Sequence, residues 1–81
     1  MDTISNINKM LMSVLKIDHS VVSNLSTEQV LTDYGLNSLT AIQLVVQIEN
    51  EYGVTIDDID LLLENMTTIN KIVALIEKYT Q

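Results

Sequence analysis

Eighty-one residues, 47% of them hydrophobic, give one small domain (1–81) with enough apolar sequence for a single core, and too much for a disordered chain despite a net charge of −7. The basic residues Lys9, Lys16, Lys71 and Lys78 lie near the ends, while Glu28, Asp33, Glu49, Glu51, Asp57, Asp58, Asp60 and Glu64 fill a middle without Lys or Arg, which excludes nucleic acid as a partner because phosphate contacts need cations. Cysteine is absent, which rules out disulfides and thiolate metal sites; no apolar run approaches the ~18 residues of a membrane span, and Met1-Asp2 lacks the basic region of a signal peptide, so a cytoplasmic monomer off the membrane is expected.

Along the chain, Ile4, Ile7, Leu11, Val14 and Leu15 recur at helical spacing, thickened by Met10 and Met12. Asp2 or Thr3 can cap this helix and Lys16 suits its C-terminal end. Ile17 through Val30 reads as a long connection, with Val21, Val22, Leu25, Val30 and Leu31 available to pin it to the core. A tight turn at Gly35 leads into the strongest helix signal, from Ser38 to Tyr52, where Asn37 or Ser38 can cap the first turn and Gly53 can end the last. Val54-Thr55-Ile56 is an extended link into a brief helix, Asp57 to Leu63 or Glu64, with Asp57 and Asp58 as caps. In it Ile59, Leu62 and Leu63 turn inward and Asp58, Asp60 and Leu61 sit nearer solvent. Thr68 caps a final helix whose inward stripe is Ile69, Ile72, Val73, Leu75, Ile76 and Tyr79. The expected fold is all-α: a small antiparallel four-helix bundle of three longer helices and one short one, with a long loop between the first two.

The helix beginning at Ser38 is unusual in having two apolar arcs. At about 100° per residue, Ala41, Leu44, Val45, Ile48 and Tyr52 fall on one side of Ser38 and Leu39, Ile42 and Val46 on the other, with Glu49 in line with Ser38 itself. The first arc suits the core; the second is more core, packed under the long loop, or an exposed patch that a partner covers.

Asp33-Tyr34-Gly35-Leu36-Asn37-Ser38-Leu39, followed by such a helix, resembles the carrier proteins of fatty-acid, polyketide and nonribosomal-peptide synthesis. The resemblance runs from Ile4 to about Tyr79, and Asn37 stands where acyl carriers usually have aspartate. It implies a 4′-phosphopantetheine arm on Ser38, attached by a phosphopantetheinyl transferase, with Asp33, Gly35 and Asn37 shaping the attachment turn. The implied partners are loading enzymes (adenylating or acyltransferase) and condensing or tailoring enzymes. Free amides and the positive dipole end at a helix start favour the arm's phosphate. Docking is expected on Leu39, Ile42, Val46 and Glu49, with Thr40 and Gln43 at the rim and Ile59 closing the surface. The acidic middle of the chain would steer basic partners there.

Ser38-Leu39-x-Ala41-x-x-Leu44, with uncharged Gln43 and Gln47, is similar to peptidyl carriers, whereas the acidity and short length match discrete acyl carriers. A freestanding carrier of aminoacyl or acyl thioesters in a natural-product assembly line is the leading reading, and a fatty-acid carrier the runner-up. Outside the family stands a helical adaptor in which Ser38 is only a cap. An enzyme is not expected: His19, beside Asp18, has no nucleophile and orienting group around it, and metal-ligand spacings and phosphate-binding glycine loops are lacking.

Overall fold

Apolar residues at three- and four-residue spacing make Thr3–Leu15 a helix, α1, in the computed structural model, which describes residues 3–80. Asp2, one of the expected caps, lies outside the described residues. Ile7, Met10, Leu11 and Val14 are buried, while Ile4 is exposed. The helix stops where Lys16 takes a left-handed conformation at φ 57°, a helix-ending role more often given to glycine.

The connection that follows is more ordered than its sequence suggests. His19–Val22 forms a single helical turn, α2, in which Asp18 C=O accepts from Val21 and Val22 N–H, both at 3.0 Å, and Val22 is buried. Leu31–Tyr34 forms a 3-10 turn. Two backbone bonds dock the connection on the start of the last helix and the chain just before it: Leu31 N–H donates to Thr67 C=O at 2.7 Å, and Asn70 N–H donates to Thr27 C=O at 2.9 Å. Leu31 and Leu36 are buried and Leu25 partly so, but Val30 is exposed.

Ser38–Tyr52 is α3 and Ile69–Thr80 is α4. Both pack against α1. Ala41, Leu44, Val45 and Ile48 of α3 and Ile69, Ile72, Leu75 and Ile76 of α4 belong to one core with the buried face of α1. Gly53 closes α3 in the left-handed conformation at φ 64°, as its sequence position predicts. Thr68 caps α4 through Oγ1, which accepts from Lys71 N–H at 3.2 Å.

The short helix expected between Asp57 and Glu64 is instead two 3-10 turns, Asp58–Asp60 and Leu63–Asn65. Leu61 and Leu62 leave helical geometry between them, at φ/ψ of −84/53° and −108/136°. Asp60 is drawn toward α4, where Lys78 and Tyr79 bind its carboxylate, and Asn65 Nδ2 donates to its C=O at 3.1 Å. That orientation reverses the expected facing of three residues: Ile59 and Leu62 are exposed and Leu61 packs partly buried on the core, while Leu63 faces inward and Asp58 is exposed as expected. Asp57 precedes the first turn without a side-chain cap bond. The fourth, short helix of the bundle is therefore α2. No helix among the described residues is long and apolar enough to cross a membrane.

Candidate functional site

The turn before α3 is built from four side chains and one glycine. Gly35 takes φ 106°, a left-handed angle costly for other residues, and ends the 3-10 turn holding exposed Asp33. Leu36 is buried and anchors the turn, a role its place between glycine and asparagine does not advertise. Asn37 then caps α3: its Oδ1 accepts from Leu39 N–H at 2.9 Å and Thr40 N–H at 3.0 Å. Thr40 Oγ1 accepts from Asn37 N–H at 2.8 Å and lies 3.2 Å from Gly35 C=O, to which it can donate. The reciprocal pair is a capping box, with threonine where glutamate or glutamine is commoner. Thr40, expected at the rim of a docking surface, thus has a structural task.

Because Asn37 supplies the cap, Ser38 does not. It is the first residue inside α3, its side chain is exposed, and among the described residues its hydroxyl has no hydrogen-bond partner. The box also changes the account of the helix start. Leu39, Thr40 and Asn37 N–H are already satisfied, leaving Ser38 N–H and the dipole's positive end to meet an anion.

Beside Ser38 lies an apolar cavity of about 360 Å³ between α3 and residues 55–66. Ala41, Ile42, Val45 and Val46 form its α3 wall; Ile56, Leu61, Leu63 and Met66 form the other. Glu49, Thr55 and Asp58 add polar groups. Glu49 Oε2 accepts from Ile56 N–H at 2.9 Å, bracing the backbone as it leaves α3. The carboxylate in line with Ser38 is therefore an internal tie as well as a surface charge.

The second apolar arc of α3 faces outward. Leu39, Ile42 and Val46 are 67%, 60% and 49% exposed, so they do not pack beneath the long connection. Ile59 is 79% exposed, and Leu62, which the sequence places inward, is 49% exposed. Gln43 is exposed, whereas Gln47 Nε2 donates to Ser13 Oγ at 3.3 Å and joins α3 to α1.

On the far side of the 55–66 segment is a cluster the helical periodicity concealed. Tyr79, assigned to the inward stripe, directs its hydroxyl at the Asp60 carboxylate and accepts from Asp57 N–H at 3.0 Å. Lys78 Nζ lies 2.8 Å from the same carboxylate oxygen. Hydrogen bonds from Lys78 and then Tyr79 hold the Asp60 carboxyl below the usual range, and the same bonds raise Lys78 and Tyr79.

A family described as "Phosphopantetheine attachment site" matches residues 6–76. The chain is 35% identical over 74 residues to a protein named acyl carrier protein from Thermotoga maritima, covering 91% of this chain and 86% of that one. No solved structure matches significantly.

Proposed function

The chain belongs to the phosphopantetheine-attachment family of carrier proteins, which are not enzymes and which carry covalent 4′-phosphopantetheine on a serine, and from that membership we propose that Ser38 is the serine modified. The observation that carries this is the division of labour at the start of α3: Asn37 fills the cap and leaves the Ser38 hydroxyl exposed and uncommitted. Of the other serines within the matched region, Ser20 lies inside the single turn α2 and not at the start of a long helix, and the hydroxyls of Ser13, Ser23 and Ser26 are hydrogen-bonded. Ser13 Oγ accepts from Gln47, Ser23 Oγ donates to Ser20 C=O at 3.4 Å, and Ser26 Oγ accepts from Glu28 N–H at 3.1 Å.

The residues present fit the group. An exposed oxygen on the first residue of a 15-residue helix places a phosphodiester beside Ser38 N–H and the positive dipole end. Asp33 and Gly35 shape the turn that presents it. In the modification Ser38 Oγ forms a bond to the pantetheine-side phosphorus of coenzyme A as the pyrophosphate P–O bond breaks, adenosine 3′,5′-bisphosphate leaves, and a base of the phosphopantetheinyl transferase takes the hydroxyl proton. The bound arm supplies a thiol that holds cargo as a thioester.

Partner enzymes dock on Leu39, Ile42 and Val46, apolar and exposed on the helix that Ser38 begins, and on exposed Ile59 of the segment after α3, with Thr40, Gln43 and Glu49 at the edge. The patch suits small, short-lived interfaces, and Asp33 and Asp58 provide acidic charge nearby. The partners on this reading are loading, condensing and tailoring enzymes, and the compartment is the cytoplasm. A natural-product assembly line carrying aminoacyl or acyl thioesters is the pathway we favour, on the grounds of uncharged Asn37, Gln43 and Gln47 around α3. Fatty-acid synthesis is the second reading, favoured by the similarity to an acyl carrier protein.

Incubation with coenzyme A and a permissive transferase should add one arm by intact mass, and Ser38→Ala should abolish the addition. Addition to the Ser38→Ala chain would overturn the assignment. The mass of the protein isolated from its native host identifies the cargo and separates the two pathways.

A further inference from the structure

The cavity beside Ser38 has one wall on α3 and another on the segment that leads to α4, and the two are held differently. On α3, Ala41 and Val45 belong to the buried core. The other wall is buried in the core only at its ends, Ile56 and Met66, and its middle has weaker apolar anchorage: Leu61 and Leu63 are partly buried, and their neighbours Ile59 and Leu62 point to solvent. Polar bonds fasten it instead. Tyr79 bridges Asp57 N–H and the Asp60 carboxylate, Lys78 binds that carboxylate, and Lys71 Nζ donates to Glu64 C=O at 3.0 Å.

We propose that Tyr79, whose ring packs partly buried on the core, is with Asp60 and Lys78 a latch that sets how far the cavity opens, its hydroxyl holding the 57–65 wall against α4. Tyr79 is on this account a positioning residue. It acts through Asp57 and Asp60, and neither it nor Lys78 lines the cavity. A wall held by a few surface-facing hydrogen bonds opens at lower free energy than the helices beneath it, so the cavity can open while α1, α3 and α4 stay folded. Glu49, bound to Ile56 N–H, and buried Met66 keep the two ends attached as the stretch between them moves.

The native chain has no cysteine, so a single introduced thiol reports one position. Ala41→Cys places it on the fixed cavity wall, where Ala41 is buried; Val22→Cys places it in the core away from the cavity. Each is made in a Ser38→Ala chain, so that no arm thiol contributes and the result does not depend on the carrier reading. The readout is the rate of labelling by dithiobis(nitrobenzoate). With Tyr79 present the Ala41→Cys thiol should label at least about tenfold faster than the Val22→Cys thiol, because the wall opens without global unfolding, and Tyr79→Phe should speed labelling of Ala41→Cys by about tenfold or more, the factor carried by a hydrogen bond to a charged acceptor. Asp60→Asn, which keeps an acceptor oxygen, should give an intermediate rate at Ala41→Cys and serves alone if Tyr79→Phe does not fold. Equal labelling rates at the two reporters with Tyr79 present would mean that the cavity opens only when the whole chain unfolds, and unchanged labelling at Ala41→Cys on Tyr79→Phe would mean that the wall is not held by this contact. Either result overturns the proposal.

Discussion

Asn37 and Thr40 each cap the other: Oδ1 of Asn37 accepts from Thr40 N–H at 3.0 Å, and Oγ1 of Thr40 accepts from Asn37 N–H at 2.8 Å. An asparagine amide oxygen accepts these bonds as a carboxylate would, so the departure from aspartate leaves the cap intact. Asn37→Ala should lower stability by about 1 kcal/mol, while Asn37→Asp should preserve it or add about 0.3–1 kcal/mol through the helix dipole. Thermal unfolding checks both. An Asn37→Ala melting temperature within about one degree of the native protein's would show that the box contributes nothing, since 1 kcal/mol is worth about 4–8 °C in a chain of this size.

Ser38 stands next to the cap without being part of it. Ser38→Ala should therefore change stability by no more than about 0.5 kcal/mol, the ordinary range for an exposed substitution, while abolishing phosphopantetheine addition. A loss of about 1 kcal/mol would make the serine a cap residue after all and revive the adaptor reading.

These two residues also show how far sequence reaches. Periodicity located α1, α3 and α4 because each buries one stripe, and glycine chemistry located the turn at Gly35 and the stop at Gly53. It left open whether Asn37 or Ser38 caps, since both residue types do so and only geometry distinguishes them. The segment after Ile56 was misread for a different reason. Its apolar residues fit a helical pattern, but Asp60 is held by Lys78 and Tyr79, residues distant in sequence, and that attachment splits the helix and turns Ile59 outward. The second arc of α3 was legible as a choice, and exposure of Leu39, Ile42 and Val46 decides it.

The two arcs of α3 predict opposite mutational behaviour. Leu44 is fully buried, so Leu44→Ala should cost about 2–5 kcal/mol, a large part of the stability of a small chain. Leu39→Ala and Ile42→Ala should fall within about 0.5 kcal/mol of the native protein yet reduce transferase kcat/KM. Denaturant unfolding and coenzyme A transfer kinetics measure the two quantities separately. Full transfer rates in both surface variants would show that the patch serves another purpose.

Glu49 tests whether its carboxylate acts internally. Ile56 is buried and its N–H has Glu49 Oε2 as acceptor at 2.9 Å. Glu49→Ala should cost about 1–3 kcal/mol by orphaning that donor, whereas Glu49→Gln, which retains an acceptor, should recover most of it. If Ala and Gln destabilise equally, charge and not the bond to Ile56 is what matters.

The Tyr79, Lys78 and Asp60 cluster gives stability a defined pH window. Asp60 titrates below its ordinary 3.8 when folded, so its contribution is present above that pH and is lost as acid protonates it through the lowered value. Lys78 and Tyr79 titrate above their ordinary 10.5 and 10.0, so their contributions are present below those values and are lost as pH rises through the raised ones. Asp57, whose N–H faces the Tyr79 hydroxyl, adds negative charge that favours ammonium and neutral phenol alike. The stability difference between native protein and Tyr79→Phe should hence be level from about pH 5 to pH 9 and shrink toward both extremes, because protonated Asp60 is a weaker acceptor and ionised Tyr79 repels it. Unfolding midpoints across that range provide the measurement. A difference that stays constant into strong acid and base would mean that the Tyr79 hydroxyl is not bonded to Asp60, and that packing of its ring alone holds the segment to α4.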